Sequence, residues 1–334
     1  MSFLQMSLHG AVMIAVITIL RALTLNQVPK KTFLVLWALA LVRLLVPFSL
    51  PSRLSVYTLL ARQAPAVSDA TAVSPPPVLP AAPVTVTPQV TAPSASTVSP
   101  WAVVWLVGIE VCVLTFAVLY VRCYREFQTS LPVEHDYARR WLAAHPLRRK
   151  LVIRQSDRVS SPLTFGVLRP VILMPKSTDW SDEGTLRFVL EHEFVHVQRF
   201  DALSKLTLIA AVCVHWFDPL VWVMYVLANR DLELSCDETV VHRFGGARAD
   251  YARTLIRMME TRSGVAPLCN GFSKNAIEER ITAIMKTKKI TVMSLLLAAL
   301  LVAGTVTVFA TSAKTEEPSV PVKGTGAVVE QNSA

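Results

Sequence analysis

Residues 190–196 read Leu190-Glu191-His192-Glu193-Phe194-Val195-His196, an H-E-x-x-H pattern within a segment predicted to be helical. Two histidines at positions i and i+4 lie one turn apart on one helix face, so both imidazoles can reach the same metal ion. Glu193 lies beside that face, where its carboxylate can take a proton from water activated by the metal. Zn²⁺ is the expected ion for two neutral imidazoles and a carboxylate. Because short motifs also occur by chance, the assignment depends on a third ligand downstream.

The predicted third ligand lies in a second helical segment, residues 230–238, which presents Glu233 and Asp237 at i and i+4. A glutamate from a later helix is a usual third zinc ligand, and it leaves the fourth position for water. We assign Glu233 to the metal and Asp237 to the free ring N–H of a ligand histidine, where a carboxylate fixes the tautomer. The alternative is a solvated acidic face shared with Asp231 and Glu238. Acids within such an apolar stretch are costly unless they are paired, which disfavours that alternative.

The composition of the chain predicts a membrane protein. It has 334 residues, a net charge of +9 and a mean hydropathy of +0.45, which is high for a soluble domain. The basic residues flank apolar runs, as the positive-inside rule describes, and do not require a nucleic acid partner. The five cysteines are scattered without a C-x-x-C pair, so they indicate neither a disulfide framework nor a cysteine-rich zinc site. We interpret Cys236 as a packing residue.

Four apolar runs predict four transmembrane helices. Residues 1–50 contain the first two, residues 101–121 form the third and residues 290–310 form the fourth. Residues 51–100 are rich in Pro, Ala, Val, Thr and Ser, and predict an extended extracytoplasmic linker. Residues 311–334 predict a disordered external tail.

Basic residues beside these runs predict the topology. Arg21, Lys30, Arg122 and Lys286 all fall on one side of the membrane if the N-terminus is outside. Because positive charges favour the cytoplasmic side, residues 122–289 are expected to form a cytoplasmic domain. The chain is therefore predicted to be a multi-pass protein of the cell membrane with its active site in the cytoplasm.

The predicted cytoplasmic domain combines short strands with helices. Its strands are expected at residues 151–154, 164–168 and 171–174. A helix is expected from about Ser181 through His196 to about Arg199. Residues 203–227 are apolar, but Asp218-Pro219 reads as a helix N-cap followed by proline at the first helical position. Each half is shorter than the ~20 residues of a membrane span, so a helical hairpin is predicted, and its entry into the bilayer stays open.

Two charges interrupt the predicted spans, Arg43 in the second and Glu110 in the third. Isolated charges are costly in hydrocarbon and usually find a partner. At about 1.5 Å per residue the two lie at similar depths in antiparallel helices. We therefore predict an ion pair between Arg43 and Glu110.

Four motifs in order resemble those of a known family. They are Ser161-Pro162-Leu163-Thr164-Phe165-Gly166-Val167-Leu168-Arg169-Pro170, His192-Glu193-Phe194-Val195-His196, His215-Trp216-Phe217-Asp218-Pro219 and Glu233-Leu234-Ser235-Cys236-Asp237-Glu238. With the predicted spans, they resemble the BlaR/MecR-type membrane zinc metallopeptidases, an antirepressor and signal-transducer family linked to β-lactam resistance. The resemblance extends to about residue 310. Asp201 and His215 belong to similar motifs, and we interpret both as structural.

The resemblance implies a mainly α fold with a small β-sheet, in which four transmembrane helices accompany a cytoplasmic gluzincin-like zinc peptidase domain. His192, His196 and Glu233 match the zinc ligands of the family, and Glu193 matches its catalytic acid/base. The resemblance also implies that one strand borders the substrate cleft. Its residues are Thr164, Phe165, Gly166, Val167 and Leu168.

One departure from the family concerns sensing. The antibiotic receptors carry a penicillin-binding domain with a Ser-x-x-Lys motif after the fourth span. Here 24 residues follow residue 310, and Ser-x-x-Lys does not occur in the sequence. We therefore expect that β-lactam sensing by acylation does not carry over, and that the signal enters through the linker, the spans or a partner.

The resemblance implies a zinc endopeptidase that cleaves a cytoplasmic regulatory protein, such as a transcriptional repressor, or itself during signal transduction. The expected partners are that protein and the lipid bilayer, without direct nucleic acid binding, and a homodimer stays open. The alternatives are a non-catalytic membrane signalling module, a housekeeping quality-control protease and an intramembrane protease. Arg187, Glu191 and Arg199 flank the H-E-x-x-H motif and disfavour a site inside lipid.

Overall fold

The computed structural model describes residues 3–46, 50–52, 99–245, 247–260, 270–286, 291–309 and 311–313. These residues form a mainly helical structure with a small mixed sheet, which confirms the predicted fold class at that level. The predicted linker and tail lie outside the described residues except at their ends.

The helices and strands are numbered in chain order. The helices are α1 (Phe3–Thr24), α2 (Lys31–Leu45), α3 (Pro100–Gln128), α4 (Asp136–Ala144), α5 (Glu183–Arg199), α6 (Asp201–Val214), α7 (Pro219–Arg243), α8 (Arg248–Glu260), α9 (Asn270–Lys286) and α10 (Val292–Phe309). The strands are β1 (Leu50–Ser52), β2 (Leu131–Pro132), β3 (Val152–Ser156), β4 (Leu163–Phe165), β5 (Val171–Pro175) and β6 (Thr311–Ala313).

Two of the described helices are long and apolar enough to cross a membrane. They are α1, over Gln5–Thr24, and α3, over Pro100–Gln128. Helix α2 has 15 residues and α10 is apolar over Val292–Val306. At about 1.5 Å per residue, α2 spans roughly 22 Å, less than the ~30 Å of the hydrocarbon core. The described residues therefore support two of the four predicted spans by length and composition, and the other two are not confirmed.

Helix α2 packs inside the protein. Its side chains Phe33, Leu36 and Trp37 are buried in a core to which α1, α6 and α7 also contribute, with α10 packed against it. Nη2 of Arg43 lies 2.9 Å from Nδ1 of His9 on α1. Glu110 is exposed on α3 and forms no ion pair with Arg43, so that prediction is wrong.

Helix α3 packs against the end of α6 instead. Nε1 of Trp105 donates to the carbonyl of Val214 at 3.0 Å. Gly108 allows a close approach, because a Cβ atom there would lie 2.1 Å from the ring of Trp216. The indole Nε1 of Trp216 donates in turn to the carbonyl of Trp105 at 3.3 Å. Among the described residues, the third predicted span thus packs mainly against the helical hairpin.

The larger sheet has the order β2-β3-β5-β4, with β3 and β5 parallel and β4 antiparallel to β5. A second, two-stranded sheet joins β1 to β6 in parallel. Strand β4 lies at an edge and ends at Phe165, earlier than predicted. The chain turns at Gly166, whose φ is +85° and whose added Cβ would lie 2.6 Å from the carbonyl oxygen of Arg169. This left-handed conformation favours glycine and ends the strand.

The helices near the H-E-x-x-H motif begin and end at identifiable signals. Asp182 caps α5 by accepting from the backbone N–H of Thr185 at 3.0 Å. Asp218 caps α7 by accepting from Leu220 at 2.9 Å, and Pro219 is its first residue. The predicted hairpin over residues 203–227 is therefore confirmed as two helices, α6 and the start of α7.

Candidate metal centre

His192 and His196 project from one face of α5, and their Nε2 atoms lie 3.2 Å apart. Both residues are buried. Two nitrogen ligands of a tetrahedral zinc ion lie roughly 3.3 Å apart when each bond is about 2.0–2.1 Å long. The spacing of the two imidazoles therefore suits a single ion.

Glu233 approaches the same two nitrogen atoms from α7, which packs against α5. Its Oε2 lies 3.5 Å from Nε2 of His192, and its Oε1 lies 3.7 Å from Nε2 of His196. Burial raises the pKa of the Glu233 carboxyl and the imidazoles lower it, with a net shift well below its usual range. An ionised carboxylate thus faces both histidines.

The outer nitrogen of each histidine has its own partner. Nδ1 of His196 lies 2.6 Å from Oδ2 of Asp201, and Nδ1 of His192 lies 2.8 Å from Oη of Tyr251. The tyrosine hydroxyl donates to Oδ1 of Asp237 at 2.7 Å. Because a carboxylate only accepts, Nδ1 of His196 must carry a hydrogen, and Nδ1 of His192 must donate to the tyrosine oxygen.

This hydrogen-bond pattern leaves three electron-pair donors facing one another. With Nδ1 protonated, the Nε2 lone pairs of His192 and His196 point toward each other and toward Glu233. Lys205 and Arg280 place cationic nitrogens 3.7 and 3.4 Å from the oxygen atoms of Glu233, and a metal ion or a proton can bind the imidazole lone pairs. The donor set of two imidazoles and one carboxylate fits zinc.

The surrounding side chains raise the pKa of both histidines. Burial alone would lower the pKa of His192, but the neighbouring Cys236 and Glu233 side chains raise it, to about 10. Burial likewise lowers the pKa of His196, and Cys236, Glu233 and Asp201 raise it to a net value above the ordinary one. Histidine binds metals in its neutral form, so a metal ion displaces protons as it binds.

Asp237 was predicted to hold a ligand histidine directly, and it does so mainly through a neighbour. Its Oδ1 lies 3.4 Å from Nδ1 of His192, whereas Tyr251 lies at hydrogen-bond distance from both. Arg280 of α9 donates to both oxygen atoms of Asp237, at 2.7 and 2.8 Å. Asp237 is thereby buried and fully engaged.

Cys236 belongs to this region as more than a packing residue. Its Sγ lies 3.4 Å from Nδ1 and 3.3 Å from the carbonyl oxygen of His192. Donor atoms of His192, His196 and Cys236 all lie within 4.8 Å of one another, so the thiol is an alternative third ligand. Because it approaches His192 on the nitrogen that already bonds Tyr251, Glu233 is the better placed of the two candidates.

Glu193 is held by strand β4. Oγ1 of Thr164 donates to Oε2 of Glu193 at 2.7 Å and lies 3.2 Å from its backbone oxygen. The glutamate is buried yet lines the cavity beside the two histidines. The hydroxyl engages one oxygen of the carboxylate and so sets its orientation.

These side chains line a cavity of about 540 Å³. Its wall includes four residues of the predicted cleft strand, which are Thr164, Phe165, Gly166 and Val167. Leu168 does not line it and is 81% exposed at the surface. Much of the remaining wall is apolar, with Phe188, Val189, Val197, Phe200, Leu206, Ile209, Leu255, Met258 and Ile277. The cavity wall is therefore largely apolar beside a few polar groups, as is usual for binding clefts.

Three polar residues of the site were missed by sequence reasoning. Asp201 follows His196 by five residues but lies on a new helix, so helical periodicity does not place it. Tyr251 and Arg280 come from α8 and α9, far along the chain, and their patterns are those of ordinary helix residues. Asp201 could have been recognised from the family-like motif that contains it, but we interpreted this residue as structural.

A second ionic cluster lies on another face of α7, and we call it the Asp231 cluster (Asp231, Arg21 and Trp37). Nε of Arg21 lies 2.8 and 3.0 Å from the two oxygen atoms of Asp231, and Nε1 of Trp37 donates at 2.7 Å. Arg21 also donates to Glu279 of α9 at 2.7 Å. Asp231 is fully buried, so the alternative of a solvated acidic face is wrong for this residue.

Comparison with known proteins gives a consistent family assignment. The sequence model described as BlaR1 peptidase M56 matches residues 1–284. The regulatory protein BlaR1 of Bacillus licheniformis is 38% identical over 93 residues, which are 28% of this chain and 16% of that protein. The methicillin resistance mecR1 protein of Staphylococcus aureus strain Mu50 is 21% identical over 146 residues, 41% of this chain and 24% of that protein. The regulatory protein BlaR1 of Staphylococcus aureus is 25% identical over 144 residues, 42% of this chain and 25% of that protein.

These matched stretches span a quarter or less of the relatives' own length. The family match is broader, since it covers most of this chain and includes both the H-E-x-x-H helix and the helix that carries Glu233. The predicted resemblance is thereby confirmed. The chain belongs to the BlaR1 peptidase M56 family.

Proposed function

We propose that this chain is a membrane-bound zinc endopeptidase that cleaves a regulatory protein in the cytoplasm. One observation carries the proposal: the Nε2 atoms of His192 and His196 and the carboxylate of Glu233 converge beside Glu193 on the wall of a large cavity. Membership of a peptidase family supports the reaction type. The relatives are a regulatory protein and a methicillin resistance protein, which favours a regulatory substrate such as a transcriptional repressor.

His192, His196 and Glu233 would hold the ion. When bound, zinc supplies Lewis acidity that polarises the scissile carbonyl and lowers the pKa of water. Asp201 and Tyr251 keep the Nδ1 hydrogens of the histidines in place, so that the Nε2 lone pairs stay directed at the ion.

Glu193 is the proposed acid and base of the reaction. It takes a proton from the attacking water and passes it to the leaving amine. Thr164 orients the carboxylate by donating to Oε2, which leaves Oε1 for the proton. The apolar cavity wall excludes water from the reacting groups and binds the side chains of the substrate.

The proposed location is the cell membrane, with several spans and a cytoplasmic active site. Helices α1 and α3 provide two spans, and Arg122 and Arg125 follow the apolar part of α3 directly. Reporter fusions after Glu126 and Gly271 should therefore read cytoplasmic, and fusions near Pro88 and Val320 external. An external signal at Gly271 would overturn this topology.

The function is tested with Glu193→Gln, which keeps the size of the side chain but removes its basicity. The variant should retain zinc and lose cleavage, and the uncut substrate should accumulate in cells, where comparative mapping of protein termini identifies it. Glu183→Gln on the exposed start of the same helix is the matched control and should cleave normally. Wild-type cleavage by Glu193→Gln would refute the proposed reaction and leave a zinc-binding signalling module.

A further inference from the structure

Arg280 of α9 contacts both acidic side chains that α7 directs toward the metal centre. Its Nε and Nη2 donate to Oδ2 and Oδ1 of Asp237 at 2.7 and 2.8 Å, as two parallel bonds. Its third nitrogen, Nη1, lies 3.4 Å from Oε2 of Glu233. One guanidinium therefore engages the proposed third ligand and its neighbour one turn away.

The two neighbouring carboxylates of Glu233 and Asp237 explain why a cationic side chain is needed beside α7. Glu233 and Asp237 lie at i and i+4 on α7, where like charges destabilise a helix. Asp237 is 1% exposed along its side chain, and a buried carboxylate without a partner is strongly unfavourable. The planar fork of arginine matches a carboxylate through two bonds, which the compact ammonium of lysine does not reproduce.

Arg280 also acts on a second proposed ligand through a chain of hydrogen bonds. Oδ1 of Asp237 accepts from Tyr251, and the tyrosine oxygen in turn accepts from Nδ1 of His192. If Asp237 rotates, this chain breaks and the imidazole loses the contact that sets its orientation. The guanidinium thus contacts Glu233 directly and is linked to His192 through Asp237 and Tyr251.

We propose that Arg280 is a positioning residue of the metal centre, which fixes Glu233 directly and His192 through Asp237 and Tyr251. The proposal rests on the proposed zinc site. All three guanidinium nitrogens are directed at carboxylates of the protein, and the side chain is 20% exposed. This arrangement favours a role in holding ligands over a role in binding substrate.

The residue before Arg280 ties the same turn of α9 to the first candidate membrane helix. Oε1 of Glu279 accepts from Nη2 of Arg21 at 2.7 Å, and Oε2 lies 3.7 Å from Nη1 of Arg230. The side chain of Arg21 is 9% exposed. Glu279 and Arg280 together therefore join α1 to the metal centre across two adjacent residues.

The test uses the 334-residue chain in detergent, with zinc affinity measured by competition with a chromophoric chelator. Arg280→Ala should bind zinc about 10–100-fold more weakly, the range found when groups behind metal ligands are removed. Arg280→Lys should recover only part of the loss, because it keeps the charge but not the two parallel bonds. The visible spectrum of bound Co²⁺ should change in both variants, since it reports ligand geometry.

The matched control is Arg243→Ala, because Arg243 pairs with the buried Glu191 on α5 and does not contact Glu233 or Asp237. This variant should lose stability while keeping zinc affinity and the Co²⁺ spectrum. Should Arg280→Ala not fold, the titration of Arg280→Lys decides, because the retained charge still pairs with Asp237.

Two results would overturn the proposal. The first is wild-type zinc affinity in Arg280→Ala or, where only it folds, in Arg280→Lys. The second is a raised KM with unchanged zinc affinity and an unchanged Co²⁺ spectrum, which would make Arg280 a substrate-binding residue. Failure of the underlying zinc site is distinguished in the same titration, because His192→Ala would then bind zinc as tightly as the wild type.

Discussion

Helix α7 carries acidic side chains in two contrasting surroundings. Asp231 is enclosed by Arg21 and Trp37, which donate three hydrogen bonds to its two oxygen atoms. Glu233, two residues later, is 29% exposed along its side chain and lies on the cavity wall. It faces the Nε2 atoms of two histidines whose hydrogens are on the opposite side of each ring.

The difference separates a structural ion cluster from a binding site. In the Asp231 cluster, donors and acceptors match, so the charges stabilise one another without a further group. At the metal centre, Arg280 and Lys205 approach the Glu233 carboxylate at 3.4 and 3.7 Å, but the Nε2 lone pairs of the two imidazoles face each other. These lone pairs are suited to binding a metal ion. Acidic residues occur in both places, and the balance of hydrogen-bond donors and acceptors around them distinguishes the two.

Removing a proposed ligand should give the largest effect. Glu233→Ala or His196→Ala should weaken zinc binding by more than the ~10–100-fold typical of residues behind the ligands. Zinc content of the purified protein measures this, and Asp231→Asn serves as the control on the same helix. If Glu233→Ala retained zinc and Cys236→Ala lost it, the third zinc ligand would be the Cys236 thiol and not Glu233.

Opening the Asp231 cluster should act on stability instead. Asp231→Ala leaves the Arg21 guanidinium buried with Glu279 as its remaining partner, and breaking such a pair typically costs about 3–5 kcal/mol. Denaturant unfolding of the metal-free protein measures the loss. Trp37→Phe, which removes one hydrogen bond to a charged group, should cost about 1.5–3 kcal/mol. A large loss of zinc affinity without a loss of stability would show that the two clusters are not distinct.

Substituting the residues that bond Nδ1 of the two histidines should have intermediate effects on zinc affinity. Asp201→Ala should weaken zinc binding about 10–100-fold, because His196 loses the acceptor that fixes its tautomer. Tyr251→Phe should be milder, since Asp237 lies 3.4 Å from the same nitrogen of His192 and can accept from it directly after a small shift. Chelator competition ranks the two variants, and the reverse order would contradict this account.

Substituting Thr164 should have the smallest effect on zinc affinity and a measurable effect on kcat. Thr164→Val removes the hydroxyl that donates to Glu193 and should lower kcat about 10–100-fold, as expected from one hydrogen bond to a charged group. Zinc affinity should stay unchanged. Thr164→Ser restores the hydroxyl and should restore the rate, and its failure to do so would assign the effect to packing of β4.

The parts of this molecule that follow from local spacing were predictable from sequence. His192 and His196 share a helix face because they are four residues apart, and Asp218-Pro219 starts a helix because of its local chemistry. The expected Arg43–Glu110 pair failed because helix depth does not determine which helices are neighbours, and α2 packs against α1 and α10.

Long-range partners also escaped sequence reasoning. Tyr251 and Arg280 reach the metal centre only through the packing of α8 and α9, which no local pattern encodes. Cys236 was interpreted as a packing residue because its spacing matches no cysteine motif, yet α7 places its sulfur beside His192. These residues can be assigned to the metal centre only when the tertiary contacts are known.

The corner between α5 and α6 has a consequence for how this domain can vary. The two helices meet at a single residue, Phe200, whose φ of 58° and ψ of 37° are left-handed, and whose ring lies 3.7 Å from the guanidinium of Arg149. A bulky residue in this conformation is strained by about 1–3 kcal/mol, so neighbouring contacts must hold it. An insertion of one residue at this corner would change the spacing between the two helices and move the Asp201 carboxylate from its position 2.6 Å from Nδ1 of His196. An engineered chimaera joined at this corner must therefore preserve its length, although exposed loop tips are ordinarily where chains accept insertions.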